Sequence, residues 1–441
     1  MTTLASTPTD TDRWPGLHVA PSGPRARVAA GIARKIFQVA TARLGIAVIV
    51  PNRDDWSVDL DSAAMRGAGT NAPTIVLHRP DEFFRRIGND GLIGFGEAFQ
   101  TGSWSSPDLG HLLTVMAGEI TTIVPQWMQR MRALYVARTP RIHRNTVAQT
   151  RGNIAAHYDL SNDLFATFLD PTLSYSSGLF ESPVVTRGDH AEAKAPSDVA
   201  VADLEEAQGR KIERLLDEAG VGAHTRVLEI GTGWGELALR AARRGATVVS
   251  VTLSSEQKAL ADERIAAAGF ADAVDVQLKD YREASGTYDA VLSVDMVEAV
   301  GHEYWQTYFE KIDSLLAPGG KVAIQAITMP HDRMLATKST YTWINKYIFP
   351  GGFLPSVRAI EEITAEHTAL RVTGRLSFGR HYAETLRLWD EAFLARRERV
   401  RDLGFDEIFE RMWHFYLQYS RGGFASGYLD VNQITLTKES R

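Results

Sequence analysis

Three glycines stand close together behind a short aliphatic run, in a pattern that suits a ligand-binding turn. The run 226–230 contains Glu229 and is followed by Gly231, Gly233 and Gly235. Because glycine has no Cβ, such a turn lets the backbone approach a ligand closely. Dinucleotide-binding turns have the spacing G-x-G-x-x-G, whereas the spacing here is G-x-G-x-G behind an acid. The pattern predicts a nucleotide-type site, with a tight strand-to-helix turn that binds nothing as the alternative.

Neutral polar residues stand where a nucleotide site usually has an acid. About 20 residues beyond the glycines, such sites carry an Asp or Glu that binds ribose hydroxyls. Here the chain reads Val251-Thr252-Leu253, which weakens the dinucleotide interpretation. Thr252 and Gln257 can supply neutral hydrogen bonds instead. After the next strand, Asp280 and Tyr281 can hold an adenine ring, unless Asp280 only lies on a solvated turn.

Strands and helices alternate regularly around these residues. The patterns predict strands at 225–230, 247–253, 273–279, 288–294 and 321–328, and helices at 200–219, 235–244, 254–268 and 303–316. Gly245 and Gly269 stand just past two helices, where a left-handed residue is favoured, and Ser254 and Gln257 have capping-box spacing. The alternation predicts an α/β fold with a doubly wound, mostly parallel sheet, whose ligands bind at the carboxyl ends of the strands.

Composition excludes several classes of function. The 441 residues suffice for two or three domains, and no cysteine is present, so disulfides and thiolate chemistry are excluded. A formal net charge of −6 gives no reason to expect nucleic-acid binding. We find no signal peptide and no apolar run of 18 residues. These features predict a cytoplasmic protein.

The charge pattern divides the chain and indicates a membrane surface as a partner. We expect a disordered leader at 1–25, a smaller α+β domain at 26–140 and a larger domain at 141–441, with a polar loop at 181–197. The predicted helix at 26–47 has basic residues and no acid, and arginines recur from Arg130 to Arg151. Basic amphipathic segments bind anionic lipid. A helix packed on its own domain and a solvated linker are the alternatives.

Motifs in a fixed order run from about residue 155 to residue 438. They are His157-Tyr158-Asp159 with Asn162-Asp163, Tyr175-Ser176, Glu229-Ile230-Gly231 with Gly233-Trp234-Gly235, Thr252-Leu253-Ser254 with Gln257, Met296-Val297-Glu298 with Val300-Gly301-His302, residues 347–352, Phe378-Gly379 with Tyr382, and residues 433–438. Together they resemble the cyclopropane fatty acid synthase and mycolic acid methyltransferase family. Residues 94–98 are similar, less specifically, to the amino-terminal domain of its longer, phospholipid-acting members.

The resemblance implies a Rossmann-like class I methyltransferase that binds S-adenosylmethionine (SAM). Its SAM-binding residues would be Tyr175, Ser176, Glu229, Gly231, Gly233, Trp234, Gly235, Thr252, Gln257, Asp280 and Tyr281. The implied substrate is an unsaturated acyl chain of a membrane phospholipid. Because methylation of an alkene leaves a carbocation, the site must exclude water. An acyl-binding insertion at about 330–365 would present Trp343, Tyr347, Phe349 and Phe353 as tunnel walls, with ordinary core packing as the alternative.

This sequence departs from the family where the proton is lost. In the cyclopropane synthases, the resemblance implies a bicarbonate base held by a cysteine, a glutamate, a histidine and a tyrosine. The glutamate corresponds to Glu298 and the tyrosine to Tyr382, whereas the cysteine position holds Ser177 and the histidine position Gln325; His157 completes the predicted catalytic set. Ser and Gln can still donate to an anion, so a bicarbonate site stays open. Without bicarbonate, Glu298 is the candidate base, with a pKa tuned by burial.

These two changes bear on the product. Loss of a proton from the methyl carbon closes a cyclopropane, whereas a hydride shift followed by proton loss gives an exocyclic methylene. With Ser177 and Gln325 in place, we predict a 10-methylene chain made from an oleoyl group, with the cyclopropane as the alternative. A methylene product implies a separate reductase partner that completes a 10-methyl, tuberculostearate-type chain. The resemblance also implies a homodimer formed through the amino-terminal domain and peripheral attachment to the inner face of the membrane.

Two other functions remain open on the sequence alone. A SAM-dependent methyltransferase for a small polar metabolite would need neither the aromatic segment 341–354 nor the basic stretch 130–151. A lipid-binding scaffold without catalysis would explain the altered base site, although the SAM motifs are intact. Activity on water-soluble acceptors would identify the first, and SAM binding without turnover the second.

Overall fold

The computed structural model of the chain describes residues 14, 16–51, 72–119, 161–338 and 340–439. The predicted leader lies mostly outside these residues, and the boundary at 140, the basic stretch 130–151 and His157 lie entirely outside them. The described chain forms two compact units. One contains the described residues up to 119 together with Arg397–Gly422, and the other contains residues 161–396 and the chain from Gly423 onwards. The sequence patterns did not predict that 397–422 groups with the amino-terminal unit.

The amino-terminal unit is a small α+β arrangement. Its helices are α1 (Pro24–Leu44), α2 (Pro80–Asp90), α3 (Leu92–Gln100) and α4 (Leu109–Gly118), and its strands are β1 (Ala47–Ile49), β2 (Thr74–Leu77) and β3 (Trp104–Ser105). The strands form a three-stranded sheet, with β1 parallel and β3 antiparallel to β2. Phe83, Phe84 and Trp104 are fully buried, and Gly88 allows α2 to approach the backbone of α1, since a Cβ there would lie 2.6 Å from the carbonyl carbon of Ala29.

The second unit contains a nine-stranded sheet. Its strands are β4 (Val184–Arg187), β5 (His190–Ala193), β6 (Arg226–Ile230), β7 (Thr247–Thr252), β8 (Val274–Leu278), β9 (Tyr288–Val294), β10 (Leu316–Thr328), β11 (Leu370–Ser377) and β12 (Asp430–Lys438). Their spatial order is β4-β5-β11-β12-β10-β9-β6-β7-β8. Strands β10, β9, β6, β7 and β8 pair in parallel, whereas β12 runs antiparallel to both β10 and β11. The sheet is therefore mostly parallel, as predicted.

The helices that follow complete the chain. They are α5 (Asn162–Phe165), α6 (Leu204–Glu218), α7 (Glu236–Arg243), α8 (Ser255–Ala267), α9 (Trp305–Leu315), α10 (His331–Thr337), α11 (Trp343–Tyr347), α12 (Val357–His367), α13 (Gly379–Ala395), α14 (Arg397–Asp402) and α15 (Glu407–Ala425). Val227 and Leu228 of β6 belong to different hydrophobic clusters, because successive side chains of a strand point to opposite faces. Both faces of the sheet are thus covered, as a doubly wound fold requires.

Local signals in the sequence are confirmed where they concern helix ends. Gly245 and Gly269 have φ values of +85° and +80° just past α7 and α8. Ser254 caps α8, because its Oγ accepts from the backbone N–H of Gln257 at 3.2 Å. The predicted loop at 181–197 is wrong in part, since β4 and β5 form a hairpin there. β5 pairs in parallel with β11, and this distant strand supplies the edge that stabilises the hairpin.

The strand order places a crevice beside β6. From β6 the chain continues outward to β7 and β8 on one side, whereas β9 and β10 lie on the other. Ligands of doubly wound sheets bind at the carboxyl ends of the strands where the order reverses in this way. The turn after β6 and the residues after β9 therefore meet at one place.

Candidate active site

A cavity opens at the carboxyl ends of β6, β7 and β9. It is lined by residues 172–176, Lys211, Ile212, residues 229–234, Glu236, Leu237, residues 251–253, Gln257, Lys279, Tyr281, Val294 and Met296. Of the residues predicted to bind SAM, all line this cavity except Gly235 and Asp280. The structure thus brings together segments that are up to about a hundred residues apart.

The three glycines of the turn are required for different physical reasons. All have positive φ, at +96° for Gly231, +51° for Gly233 and +88° for Gly235. A Cβ on Gly231 would lie 2.7 Å from the side chain of Met296, and one on Gly235 would lie 3.2 Å from Cβ of Ala261. Nothing lies within 4 Å of a Cβ built on Gly233. Gly233 alone of the three faces open space, which fits the close approach of a cofactor to the backbone.

Glu229 lies at the bottom of the turn and is nearly inaccessible. Its carboxylate accepts a hydrogen bond from Ser250 Oγ on the neighbouring strand β7, and Ser250 Oγ is 2.7 Å from Thr232 Oγ1. Burial raises the pKa of Glu229 to about 8, and the Ser250 hydrogen bond opposes this shift only in part. At neutral pH this carboxyl group is therefore largely protonated and uncharged.

The ribose-side residues are tied together after β7. Thr252 Oγ1 donates to Gln257 Oε1 at 3.1 Å and accepts from the backbone N–H of Ser254 at 3.2 Å. The Gln257 side chain therefore turns towards Thr252, whereas in a capping box it would bind the backbone of Ser254. Thr252 and Gln257 both line the cavity, so they present neutral hydrogen-bonding groups where other nucleotide sites have an acid.

Asp280 is oriented differently from its expected role. It is buried, and its carboxylate accepts from the backbone N–H, Nε and Nη2 of Arg282 at 2.6 to 2.9 Å. It does not line the cavity, whereas its neighbour Tyr281 does. Asp280 thus caps the short helical turn that positions Tyr281. The solvated-turn alternative is wrong, because only 5% of Asp280 is exposed, and its role in cofactor binding stays a prediction.

Aromatic side chains form the wall next to the glycine turn. The Tyr175 ring stacks on Trp389 with centroids 5.3 Å apart and meets Phe165 edge-on at 5.0 Å. The indole N–H of Trp234 donates to Asn162 Oδ1 at 2.8 Å. Asn162 and Phe165 of α5 therefore position Trp234 and Tyr175.

Glu298 is the most unusual acid of the site. Its Oε1 accepts from the backbone N–H of Ile327 at the end of β10, while its Oε2 is buried and has no hydrogen-bond partner among the described residues. Burial, and next the negative charge of Asp295, hold the pKa of Glu298 well above its usual range. A buried carboxyl oxygen without a partner is costly and marks a site that a substrate or a proton can occupy.

Near Glu298 the structure places two further charged side chains, Asp295 and Lys211, that the sequence analysis missed. Asp295 follows β9 directly, is partly buried, and lies 3.4 Å from the amide nitrogen of Gln325. Lys211 of α6 is buried, and its Nζ donates to Ser176 Oγ at 2.5 Å. Burial raises the pKa of Asp295 and lowers that of Lys211 to about 8, and their opposite charges partly offset both shifts. The only signal available in the sequence was an Asp three residues before Glu298.

The residues present do not fit a bound bicarbonate ion. Ser177 Oγ donates to the carbonyl of Gly178 at 3.0 Å. The amide nitrogen of Gln325 faces Asp295, and its oxygen accepts from Gln433 at 3.3 Å. Both positions that departed from the family pattern are thus engaged within the protein, and the charge they face is already a carboxylate. No step is assigned to bicarbonate.

Tyr382 and the loop that contains Ser177 are joined through α13. Tyr382 packs on Phe424, with ring centroids 4.6 Å apart. His381 next to it accepts from the backbone N–H of Phe180 through Nδ1 at 3.0 Å, and its Nε2 donates to the carbonyl of Lys194 at 2.9 Å. Burial lowers the pKa of His381 to about 4, so this histidine holds the loop as a neutral group.

The predicted acyl-binding segment lies against Glu298. The backbone N–H of Phe353 donates to the carbonyl of Glu298 at 2.9 Å, and the Phe353 ring stacks on Trp305 at 5.7 Å. Trp343 is buried and packs on Tyr347 at 5.4 Å. Neither these residues nor Phe349 line the cavity described above. Their role as tunnel walls stays a prediction, and Phe353 also serves the core.

The described residues contain neither a metal site nor a membrane-spanning helix. Within the described residues, no group of three or more His, Cys, Asp or Glu side chains is placed to hold a metal ion. Among the helices that the structure describes, none combines the length and apolarity needed to cross a bilayer.

Comparison with known proteins identifies the family. A profile of the mycolic acid cyclopropane synthetase family matches residues 145–434. The chain belongs to this family. It is 50% identical over 430 residues to tuberculostearic acid methyltransferase UfaA1 of Mycobacterium tuberculosis, covering 98% of this chain and 96% of that protein. It is 31% identical over 396 residues to the cyclopropane-fatty-acyl-phospholipid synthase of Escherichia coli, covering 89% of this chain and 95% of that one.

Solved structures of mycolic acid cyclopropane synthetases share the fold. The structure of the cyclopropane synthase MmaA2 from Mycobacterium tuberculosis matches with a TM-score of 0.57 and 32% identity, over 68% of this chain and 99% of that one. The structure of CmaA1 complexed with SAH and CTAB matches with the same TM-score and 30% identity, over 68% and 99% of the two chains. The predictions of a class I methyltransferase fold and of a SAM-dependent fatty acyl methyltransferase are confirmed.

Proposed function

We propose that this enzyme adds a methyl-derived carbon to the double bond of an oleoyl group in a membrane phospholipid and thereby converts that group into a 10-methylene acyl chain. One observation carries the choice of product-forming chemistry. Glu298 is a buried acid with one oxygen that has no hydrogen-bond partner in the described part of the chain, while Ser177 and Gln325 are engaged within the protein. The chain therefore offers a carboxyl base of its own. The relatedness to a tuberculostearic acid methyltransferase supports the same product.

The cofactor end of the site is formed by neutral groups and open backbone. SAM, when bound, supplies an electrophilic methyl group. Gly233 would let it approach the turn, Thr252 and Gln257 would bind its ribose, and Tyr281 would border its adenine. Glu229 is largely uncharged at neutral pH. Its contribution is to hold the turn to β7 through Ser250.

The proton-transfer end follows from the chemistry of an alkene. Addition of a methyl group leaves a carbocation on the neighbouring carbon, and a hydride shift moves the cation to the methyl-bearing carbon. A C–H bond of the methyl group then breaks, its electron pair forms the exocyclic C=C bond, and the proton passes to Glu298. The aromatic segment against Glu298, with Phe353 and Trp305, would exclude water that could trap the cation.

The amino-terminal unit offers a surface for lipid. Helix α1 packs one side on α2 and leaves Val28, Ile32 and Val39 exposed by 66%, 57% and 71%. These three positions lie on one face of the helix, and Lys35 stands between them in the sequence. Apolar residues flanked by basic ones bind anionic membranes. We therefore propose that the enzyme acts at a membrane surface. We also propose that it forms a homodimer and that a separate reductase consumes the methylene product.

One experiment tests product and membrane attachment together. The purified protein is incubated with SAM and vesicles of dioleoylphosphatidylglycerol or dioleoylphosphatidylcholine, and fatty acid methyl esters are analysed by proton NMR. We expect exocyclic vinyl signals and faster turnover on the anionic vesicles. Upfield ring-proton signals would identify a cyclopropane synthase instead. Equal rates on both vesicles would contradict electrostatic attachment, and unchanged oleoyl chains would contradict the proposed function.

A further inference from the structure

Asp295 has a backbone conformation that few residues adopt. Its φ is +51°, in the left-handed region that costs a residue other than glycine about 1 kcal/mol or more. The residue follows β9 directly and lies between Val294 and Met296, which both line the cavity. Strain of this kind persists where the surroundings demand one side-chain position. Here it directs the carboxylate towards the side-chain amide of Gln325.

The surroundings of Asp295 are built for a negative charge. The Gln325 amide nitrogen lies 3.4 Å from Oδ1 and 3.5 Å from Oδ2, and Gln433 orients the Gln325 amide by donating to its oxygen. Lys211 supplies the opposite charge from α6, while Asp170, Glu236 and Arg240 act on Lys211 from further away. Buried charges persist when they are paired and hydrogen-bonded. If the Asp295 side chain were removed, the same groups would face a small bound anion instead.

We propose that Asp295 is an internal carboxylate that takes the place of a bound anion. With Glu298 it forms a pair of carboxyl groups that carries one negative charge. This pair takes up the proton that the acyl cation releases. This inference rests on the proposed function. When the substrate C–H bond breaks and its electrons form the C=C bond, Glu298 takes up the released proton and gives its own proton to Asp295, so that both carboxyl groups end protonated and the pair is neutral. Asp295 acts through Glu298 and is a positioning residue.

The geometry explains why two carboxyl groups are needed. A lone buried glutamate keeps its proton, because burial disfavours the charged form. Two carboxyl groups at close quarters cannot both ionise readily, yet the pair retains a single charge when one member is stabilised by donors. Gln325 and Lys211 provide that stabilisation for Asp295.

Chemical rescue tests this role. Asp295→Gly suits the positive φ and removes the carboxylate, whereas Asp295→Asn is tolerated in the same conformation and fills the space with a neutral amide. Turnover on dioleoylphosphatidylglycerol vesicles is measured with and without sodium formate, with sodium chloride as the salt control. We expect both variants to fall about 100-fold or more. Formate should raise the rate of D295G about 10-fold or more, while the rates of D295N and the wild type stay unchanged.

Calorimetric titration with SAM verifies that each variant retains its cofactor site. Wild-type rates in D295N would overturn the inference, because no anion would be needed. A D295G protein that binds SAM but stays inactive with formate would also overturn it, and Asp295 would then serve the fold alone. A wild-type protein that yields no product would overturn the proposed function and this inference with it. A failure seen only in the variants would overturn this inference alone, so the two failures can be distinguished.

Discussion

Two buried glutamates at the carboxyl edge of one sheet have opposite surroundings. Glu229 lies near the end of β6 and Glu298 lies just after β9, the strand paired with β6. They are 2% and 8% exposed, and burial raises the pKa of each. Residue type, burial and position in the fold are therefore nearly the same for both.

The difference lies in what each carboxyl group contacts. Glu229 is hydrogen-bonded by Ser250, and no further charge appears among the causes of its pKa shift. Glu298 has one carboxyl oxygen without a hydrogen-bond partner among the described residues. The negative charge of a second residue, Asp295, raises the pKa of Glu298 further. Burial alone thus yields an uncharged carboxyl group with a structural role. A buried carboxyl group that has an unpaired oxygen and is influenced by a second carboxyl group can instead exchange a proton.

The largest effect should come from Glu298→Gln. The substitution keeps the shape of the side chain and removes its ability to accept a proton, so turnover on oleoyl phospholipid should fall by about 10²- to 10⁴-fold. Turnover is measured by methyl transfer from radiolabelled SAM to lipid. Glu229→Gln is the matched control and should lower turnover far less. Similar losses in both variants would refute the distinction between the two acids.

A smaller effect, on stability, is expected from Glu229→Gln. The carboxyl group of Glu229 has a raised pKa in the folded protein, so its stabilising contribution is complete below pH 4.5 and is lost as pH rises towards about 8. The glutamine does not titrate. Relative to the variant, the wild type should therefore lose a few kcal/mol of unfolding free energy between pH 5 and pH 8. Urea unfolding without SAM measures this difference, and parallel pH profiles of the two proteins would contradict it.

The smallest effect should come from Ser250→Ala. The change removes the donor to Glu229 and makes this acid resemble Glu298 in having an unsatisfied oxygen. The free energy of unfolding should fall by about 1–2 kcal/mol. The loss is limited because Thr232 Oγ1, which lies 2.7 Å from Ser250 Oγ, can move to donate to Glu229 in place of Ser250. Turnover at saturating SAM should stay within a few-fold of wild type. A turnover loss as large as that of E298Q would show that Glu229 takes part in catalysis.

The sequence by itself determined the framework of the site. Strands β6 to β10, their helices, the glycine C-caps and the Ser254 cap all depend on contacts between residues near in sequence, and hydrophobic periodicity reports these reliably. The glycine turn and the ordered motifs also predicted the family. Even the two departures, Ser177 and Gln325, were visible as residue types without any structure.

Only the tertiary structure decided what those residue types do. The pairing of Gln325 with Asp295, the approach of Lys211 to Ser176 and the addition of β5 beside β11 join positions 30, 35 and about 185 residues apart. Such contacts depend on strand order and on side-chain direction, which no local pattern contains. The contact of Asp280 with Arg282 is local, yet the residue types alone did not show that this carboxylate faces Arg282. The sequence named Glu229 and Glu298, and the fold decided which of them has a carboxyl oxygen without a partner among the described residues.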